Sequence, residues 1–137
     1  MTTYQSITEK LIAWFNANAN INEVTFGDFN EVDLSTHTDF PLVHIVPLAT
    51  NYLGQTIAFN YQIILFDKMH DTDTSIIPLS NMEHVAREFM NYCYLNKYEI
   101  RSTIGQLTID PVYDQRINRL YGWSFGNVAI VIPNIEC

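Results

Sequence analysis

The chain has 137 residues, of which 47% are hydrophobic and 16% charged, with 15 acidic and 7 basic residues and a formal net charge of −8. This length and composition predict one globular domain that buries its core without disulfides or structural metals. Proteins that grip nucleic acid use clustered Lys and Arg, so the acidic balance and scattered basic residues disfavour nucleic-acid binding.

The first predicted element is an amphipathic helix in residues 2–20, "TTYQSITEKLIAWFNANAN". Its apolar residues Ile7, Leu11 and Trp14 recur at helical spacing, and the Asn-rich end of the segment predicts where the helix stops. Ser6 has capping-box spacing with Glu9, while Thr2 or Thr3 would cap an earlier start.

Three strands are predicted next. Glu23–Phe26 alternates as a short strand, and residues 40–48 and 55–68 form two longer ones joined by turn residues 51–54. In the third strand the residues expected on one face are Ile57, Phe59, Tyr61, Ile63 and Leu65.

The second half of the chain predicts a helix over residues 80–95, with Ser80 and Glu83 in capping-box spacing, and strands over 105–114 and 121–134. In the last strand Phe125, Ala129 and Val131 are expected on one face. Its distal half is apolar on both faces, which is typical of a central strand. The order α-β-β-β-α-β-β predicts an α+β fold with a mainly antiparallel sheet, two helices packed on it, and a single domain over 1–137.

The stretch "GDFNEVDLSTHTDFPLVHI" (residues 27–45) carries the side chains that acid/base catalysis or a metal site would recruit. They are Asp28, Glu31, Asp33, His37, Asp39 and His44. We interpret the stretch as a solvated connector in which short polar side chains satisfy loose backbone amides. His44 is expected on a solvent or interface face, opposite Val43 and Ile45.

Further along the chain, "HDTD" (residues 70–73) lacks the spacing of an EF-hand loop, and "GWSFG" (residues 122–126) lies within a strand pattern rather than a nucleophile elbow. We therefore predict no catalytic residue, no metal and no cofactor. Cys93 is expected to be a buried helix cysteine and Cys137 a free thiol. The first residues do not resemble a signal peptide, and the apolar runs are too short to cross a bilayer.

Tyrosines are more numerous than a small core is expected to hold. They are Tyr4, Tyr52, Tyr61, Tyr92, Tyr94, Tyr98, Tyr113 and Tyr121. Tyr is favoured at protein interfaces because its ring is buried while its hydroxyl finds a partner. We expect this chain to contact other chains, with Tyr52, Tyr94 and Tyr98 as candidate contact residues.

Three blocks of sequence resemble small virion proteins of tailed phages. Two of the blocks lie in "TFGDFNEVDLSTHTDFPLVHIVP", which is followed by a long aromatic-rich strand, and the third lies in "RLYGWSFGNVAIVIPNIEC". The matching residues are Gly27, Asp28, Glu31, Val32, Asp33, Leu34, Phe40, Pro41, Leu42, His44, Ile45, Gly122, Trp123, Pro133, Asn134 and Cys137. The chain thus resembles tail terminator, tail completion and head–tail connector proteins, particularly of phages infecting Bacteroidetes and marine bacteria.

This resemblance implies a tail-terminator-like fold and a non-enzymatic role in the virion. Such proteins form a homo-oligomeric ring, sixfold or twelvefold, that joins a portal, connector or tail-tube protein and surrounds the DNA without binding it specifically. The connector residues and tyrosines above would then lie at an interface or face the lumen. The expected location is the head–tail junction or the tail, with synthesis in the host cytoplasm and no membrane partner.

Two other functions are compatible with the sequence. One is a small α+β hydrolase or isomerase that uses the Asp and His residues of 28–44, in which case Asp33→Ala or His37→Ala abolishes turnover and leaves the fold intact. The other is a monomeric adaptor domain that binds another protein through its tyrosines. Oligomeric state separates the adaptor from the ring subunit.

Overall fold

Two helices and six strands follow one another along the chain in a computed structural model, which describes residues 3–28, 40–68, 74, 76–95, 99–101, 108–114 and 120–133. The side chains of residues 53, 94, 95, 99–101, 113 and 114 lie outside that description. The elements are α1 (Tyr4–Ala17), β1 (Glu23–Phe26), β2 (Leu42–Leu53), β3 (Thr56–Lys68), α2 (Ile76–Leu95), β4 (Glu99–Arg101), β5 (Ile109–Asp114) and β6 (Leu120–Pro133). The predicted α+β class and element order are confirmed, and the three-residue β4 is an addition.

The strands form one sheet in the order β1-β2-β3-β6-β4, with β5 also paired to β6. The β1–β2 pair is parallel, and the other pairs are antiparallel. One edge of β6 pairs with β3 along its length, while β5 and β4 pair with successive parts of the other edge. The prediction that the apolar distal half of β6 is a central strand is therefore confirmed.

Both helices pack on one face of the sheet and enclose the main core. The predicted face of β3 supplies four of its fully or largely buried residues, Phe59, Tyr61, Ile63 and Leu65. Phe15 of α1 stacks on Phe89 of α2 with ring centroids 5.1 Å apart, and Phe125 of β6 meets Phe89 at 5.7 Å. Aromatic pairs at these distances add to the stabilisation from apolar burial.

The opposite face of the sheet is also buried along much of its length. Ile64, Phe66 and Leu120 form a second, smaller cluster there, against which Phe40 and Val112 pack. Both faces of β3 are thus shielded from water, as for a strand in the middle of a sheet covered on two sides.

The sequence offered three candidate N-cap residues for α1, and in the structure the N-cap is Thr3. Its hydroxyl accepts a hydrogen bond from the Ser6 backbone N–H at 3.1 Å, and the Thr3 N–H donates to Ser6 Oγ at 3.0 Å. This reciprocal pair satisfies two backbone groups at the helix N-terminus. The helix ends at Ala17, within the Asn-rich segment as predicted.

The predicted start of α2 at Ser80 is wrong, because the helix begins four residues earlier at Ile76. Pro78 lies in the first turn, where a missing N–H costs no helical hydrogen bond. Ser80 is therefore inside the helix and does not cap it.

The predicted faces of β6 are wrong beyond Phe125. The β3–β6 register shifts between Tyr61 and Ile63, where β6 has one extra residue. Beyond this shift, each side chain of β6 therefore lies on the opposite face of the sheet from the one that simple alternation predicts. Val128, Ile130 and Ile132 share the core with Phe125, and Ala129 and Val131 face the other way.

β2 is also longer than predicted and continues to Leu53, so the hairpin turn is reduced to Gly54 and Gln55, with Gly54 at φ 69°.

Candidate functional site

His44 lies on the opposite face of β2 from Val43 and Ile45, as expected, but it is buried rather than exposed. Only 1% of its surface is accessible. Its Nδ1 lies 2.6 Å from Thr25 Oγ1, and its Nε2 lies 3.2 Å from the backbone carbonyl of Asp28. A carbonyl only accepts, so Nε2 donates, and in the neutral ring Nδ1 accepts from the Thr25 hydroxyl. The expectation of a solvent or interface face is wrong, because this face of the sheet is also covered.

The contacts of His44 fix the end of β1 against β2. The Gly27 N–H donates to the Ile45 carbonyl at 3.0 Å, and Gly27 has φ 134°, a conformation that favours glycine. Asp28 then presents its side chain to solvent and its carbonyl to the His44 ring. The imidazole therefore serves as a hydrogen-bonding link between two strands and the chain that follows them.

The other residues of the predicted connector lie outside the described residues. These are Glu31, Asp33, His37 and Asp39, together with the 70–73 stretch and Tyr98. Tyr94 lies in α2, and its side chain is also outside the description. For these positions the interface or lumen assignment stays a prediction.

The tyrosines divide between the core and the surface. Tyr61 is fully buried, its hydroxyl is 2.8 Å from Thr8 Oγ1, and Tyr4 stacks on its ring at 5.8 Å. Burial raises the pKa of the Tyr61 hydroxyl well above its usual range, because the phenolate would be desolvated. Tyr92 stacks on Trp14 at 5.1 Å. Tyr52, by contrast, is 75% exposed.

The exposed end of the β2–β3 hairpin is the clearest surface feature among the described residues. We call residues Pro47–Tyr52 of β2 the hairpin patch; all six are exposed, including the large side chains of Leu48 and Tyr52. β1 pairs with β2 only as far as Ile45, and in the described part of the chain no strand pairs with the outer edge of β2 beyond that point. The hairpin patch is therefore accessible to a partner.

A buried amide shapes this end of the hairpin. The β2–β3 register shifts between Pro47 and Thr50, and Asn60 of β3, which is buried, donates from Nδ2 to the Ala49 carbonyl at 2.6 Å. A carbonyl at a bulge lacks its ladder partner, so the amide replaces that hydrogen bond. The signal in the sequence is an Asn between two aromatic residues, Phe59 and Tyr61, in the middle of the strand.

An open cleft of about 620 Å³ lies between the end of α1, the start of β2, the end of β3 and the first turns of α2. A hydroxyl, an imidazole and a carboxylate line it, from Ser80, His84 and Asp67. A nucleophilic triad requires these groups to be hydrogen-bonded in sequence. Instead, His84 Nε2 lies 3.4 Å from Glu88 Oε1, and Asp67 Oδ1 accepts from the Lys68 N–H at 2.8 Å. The geometry of the cleft is that of separate surface groups.

The described residues contain neither a cluster of metal ligands nor a membrane-spanning helix. No group of three or more His, Cys, Asp or Glu side chains comes close enough among them to hold a metal ion. In the same part of the chain no helix has both the length and the apolar character needed to cross a membrane.

Cys93 is buried, and burial raises the pKa of its thiol to about 12, which keeps it protonated and unreactive at neutral pH.

Comparison with known proteins assigns no family. No protein-family model matches the sequence. No curated protein matches it either.

Proposed function

We propose that this chain is a structural protein of a tailed phage, a tail terminator or head–tail connector subunit that assembles into a ring around the DNA conduit. The sequence blocks that resemble such proteins support this proposal, and so does the α+β fold with its helices on one face of the sheet. Neighbouring portal, connector or tail-tube proteins would bind the ring on either side.

The observation that carries the proposal is the hairpin patch. It presents an exposed tyrosine on an uncharged strand, and tyrosine suits protein–protein contacts because its ring is buried while its hydroxyl finds a partner. Tyr52 is the most exposed large hydrophobic residue in the described part of the chain, and tyrosine is enriched where interfaces are buried. A subunit that must bind further copies of itself accounts for this surface.

The charge of the chain fits a DNA conduit. A net charge of −8 gives each copy a field that repels phosphate, with a range of about 8 Å at physiological salt. DNA would then pass through the ring without adhering to it. The same charge opposes assembly, because every copy repels the next one.

Assembly of the purified chain tests the proposal. We expect negative-stain electron microscopy and analytical ultracentrifugation to show closed rings with a central channel, whose fraction rises with protein concentration up to the millimolar range. The fraction should also rise with salt, since the Debye length falls to about 3 Å at 1 M and the repulsion between copies is screened.

Particles that remain monomeric at millimolar concentration and at high salt would contradict the ring. A catalytic turnover that Asp33→Ala or His37→Ala abolishes, with circular dichroism unchanged, would favour the enzyme instead.

A further inference from the structure

The β2–β3 hairpin is free of charged residues except for the last two residues of β3, Asp67 and Lys68. From Phe40 to Phe66 the sequence contains no Asp, Glu, Lys or Arg, although the segment is bounded by Asp39 and Asp67 in a chain of net charge −8. Most of this segment is buried in the sheet, but the hairpin patch is exposed. It is therefore a surface at which another acidic molecule can approach without meeting a like charge.

A second uncharged and apolar surface lies at the start of α2. We call Ile76 and Ile77 the helix patch; they are 71% and 45% exposed. The sequence from Thr74 to Met82 carries no charged residue, and α2 has no acidic residue in its first turn. The hairpin patch and the helix patch thus share two properties, exposed apolar side chains and the absence of charge.

The two patches lie at opposite ends of the sheet. The indole N–H of Trp123 donates to the Leu79 carbonyl at 2.7 Å, and Trp123 pairs with Leu65 near the end of β3. The start of α2 is therefore next to the last residues of β3, whereas the hairpin patch pairs with the first half of β3, where Tyr52 lies opposite Ile57. Ile57 precedes Leu65 by eight residues, which is about 26 Å at roughly 3.3 Å per residue.

This placement suits a contact between different surfaces of identical copies. When one patch binds a different patch on the next copy, the assembly is head-to-tail and closes into a ring if the rotation between copies permits. Because Tyr52 and the start of α2 lie about 26 Å apart along the sheet, both patches of one molecule can be occupied at the same time.

Extension of the sheet by strand addition is disfavoured at the hairpin patch. Pro47 has no backbone N–H to donate, and the β2–β3 register shift begins at the same residue. Pro and bulges are the features that protect an edge strand against open-ended pairing. Contact at this surface should therefore be made by side chains, with Tyr52 as the largest and most exposed.

We propose that the hairpin patch of one copy binds the helix patch of the next copy, through burial of Tyr52 against Ile76 and Ile77. The proposal rests on the proposed ring function and identifies the two surfaces that form the ring. Copies of net charge −8 meet where neither surface carries charge, so apolar burial is gained with the least electrostatic opposition.

Directed disulfide formation tests the contact. Tyr52→Cys and Ile76→Cys are prepared in separate chains carrying Cys137→Ser, so that the buried Cys93 is the only native cysteine left. We expect the mixture to form disulfide-linked dimers under mild oxidation at least about tenfold faster than a matched mixture of Tyr52→Cys and Lys10→Cys. Lys10 is exposed on α1 and belongs to neither patch.

A chain carrying both Tyr52→Cys and Ile76→Cys extends the test. It should give a ladder of covalent oligomers that ends at the copy number of the ring. Independently, Tyr52→Ala should weaken association about 30-fold, the effect of losing a central interface tyrosine, while Lys10→Ala leaves association unchanged. Tyr52 is exposed, so its removal leaves the folded monomer intact.

The outcomes separate this proposal from the proposed function. Rings that form while the Tyr52–Ile76 mixture reacts no faster than the Tyr52–Lys10 mixture would overturn the contact and leave the ring in place. A chain that neither crosslinks nor assembles at any concentration would overturn both.

Discussion

Replacement of Gly122 by alanine is predicted to disrupt the centre of the sheet. A Cβ at this position would lie 1.6 Å from the backbone oxygen of Leu65 and 2.7 Å from its carbonyl carbon. An ordinary van der Waals contact is 3.4–4 Å, so β3 and β6 would have to separate locally by roughly 2 Å. The contact is with backbone rather than with a flexible side chain, so no rotamer change relieves it.

The expected cost of Gly122→Ala is about 2–6 kcal/mol. Overpacking a close-packed interior costs about 1–3 kcal/mol, and a buried backbone group that loses its hydrogen bond adds about 1–3 kcal/mol. A domain of this size has a free energy of unfolding of about 5–15 kcal/mol, so the variant should lose a large part of its stability.

Gly126 provides the matched control within the same "GWSFG" stretch. A Cβ there meets no atom within 4 Å, and Gly126 is exposed. Gly126→Ala should leave the free energy of unfolding within about 0.5 kcal/mol of the wild type, or raise it slightly by restricting the unfolded chain.

Urea unfolding followed by tryptophan fluorescence measures both variants, because Trp123 adjoins the mutated glycine and Trp14 reports on the helices. Equal midpoints for Gly122→Ala and wild type, or a larger loss for Gly126→Ala, would refute the reasoning. Gly122 would then have some other role than close approach of two strands.

Two further predictions concern buried polar groups. Thr8→Val should lower the free energy of unfolding by about 1–3 kcal/mol, because it leaves the buried Tyr61 hydroxyl without its partner at 2.8 Å. Adding Tyr61→Phe should recover part of that loss. If a double-mutant cycle measured by urea unfolding gives strictly additive effects, the two side chains do not share a hydrogen bond. Burial raises the pKa of the Cys93 thiol from 9.0 to about 12, so the unfolded chain releases this proton at lower pH than the folded chain. The stability that Cys93 contributes is complete below pH 9 and is lost as pH rises toward 12, at about 1.4 kcal/mol per pH unit. Cys93→Ala should therefore lose less stability than wild type between pH 9 and 11, and parallel curves for the two proteins would contradict this.

Local patterns in the sequence were sufficient to predict the helices, most strands and the fold class. The spacing of Ile7 and Leu11 predicts α1, and the alternation from Ile57 to Leu65 predicts the core face of β3, because burial on one face imposes the period of each element. The doubly apolar end of β6 predicts a strand inside the sheet for the same reason.

The proposed contact surface was only partly predictable from the sequence. Tyr52 was expected to be a contact residue from the number of tyrosines, and it is exposed. The helix patch was missed because the helix was predicted to begin only at Ser80, whereas it begins at Ile76. His44 was expected at the surface because an alternating strand normally exposes its second face.

Sequence by itself determined the period of each element, the turn at Gly54, the caps available to α1 and the acidic character of the chain, since these depend on neighbouring residues and on composition. Tertiary structure decided the register shifts in β2–β3 and β3–β6, the burial of both faces of the sheet, and the placement of the hairpin patch and the helix patch at opposite ends of β3. Those features depend on residues distant in the chain, such as Asn60 with Ala49 and Gly122 with Leu65, whose contact follows from the pairing of whole strands rather than from any local pattern.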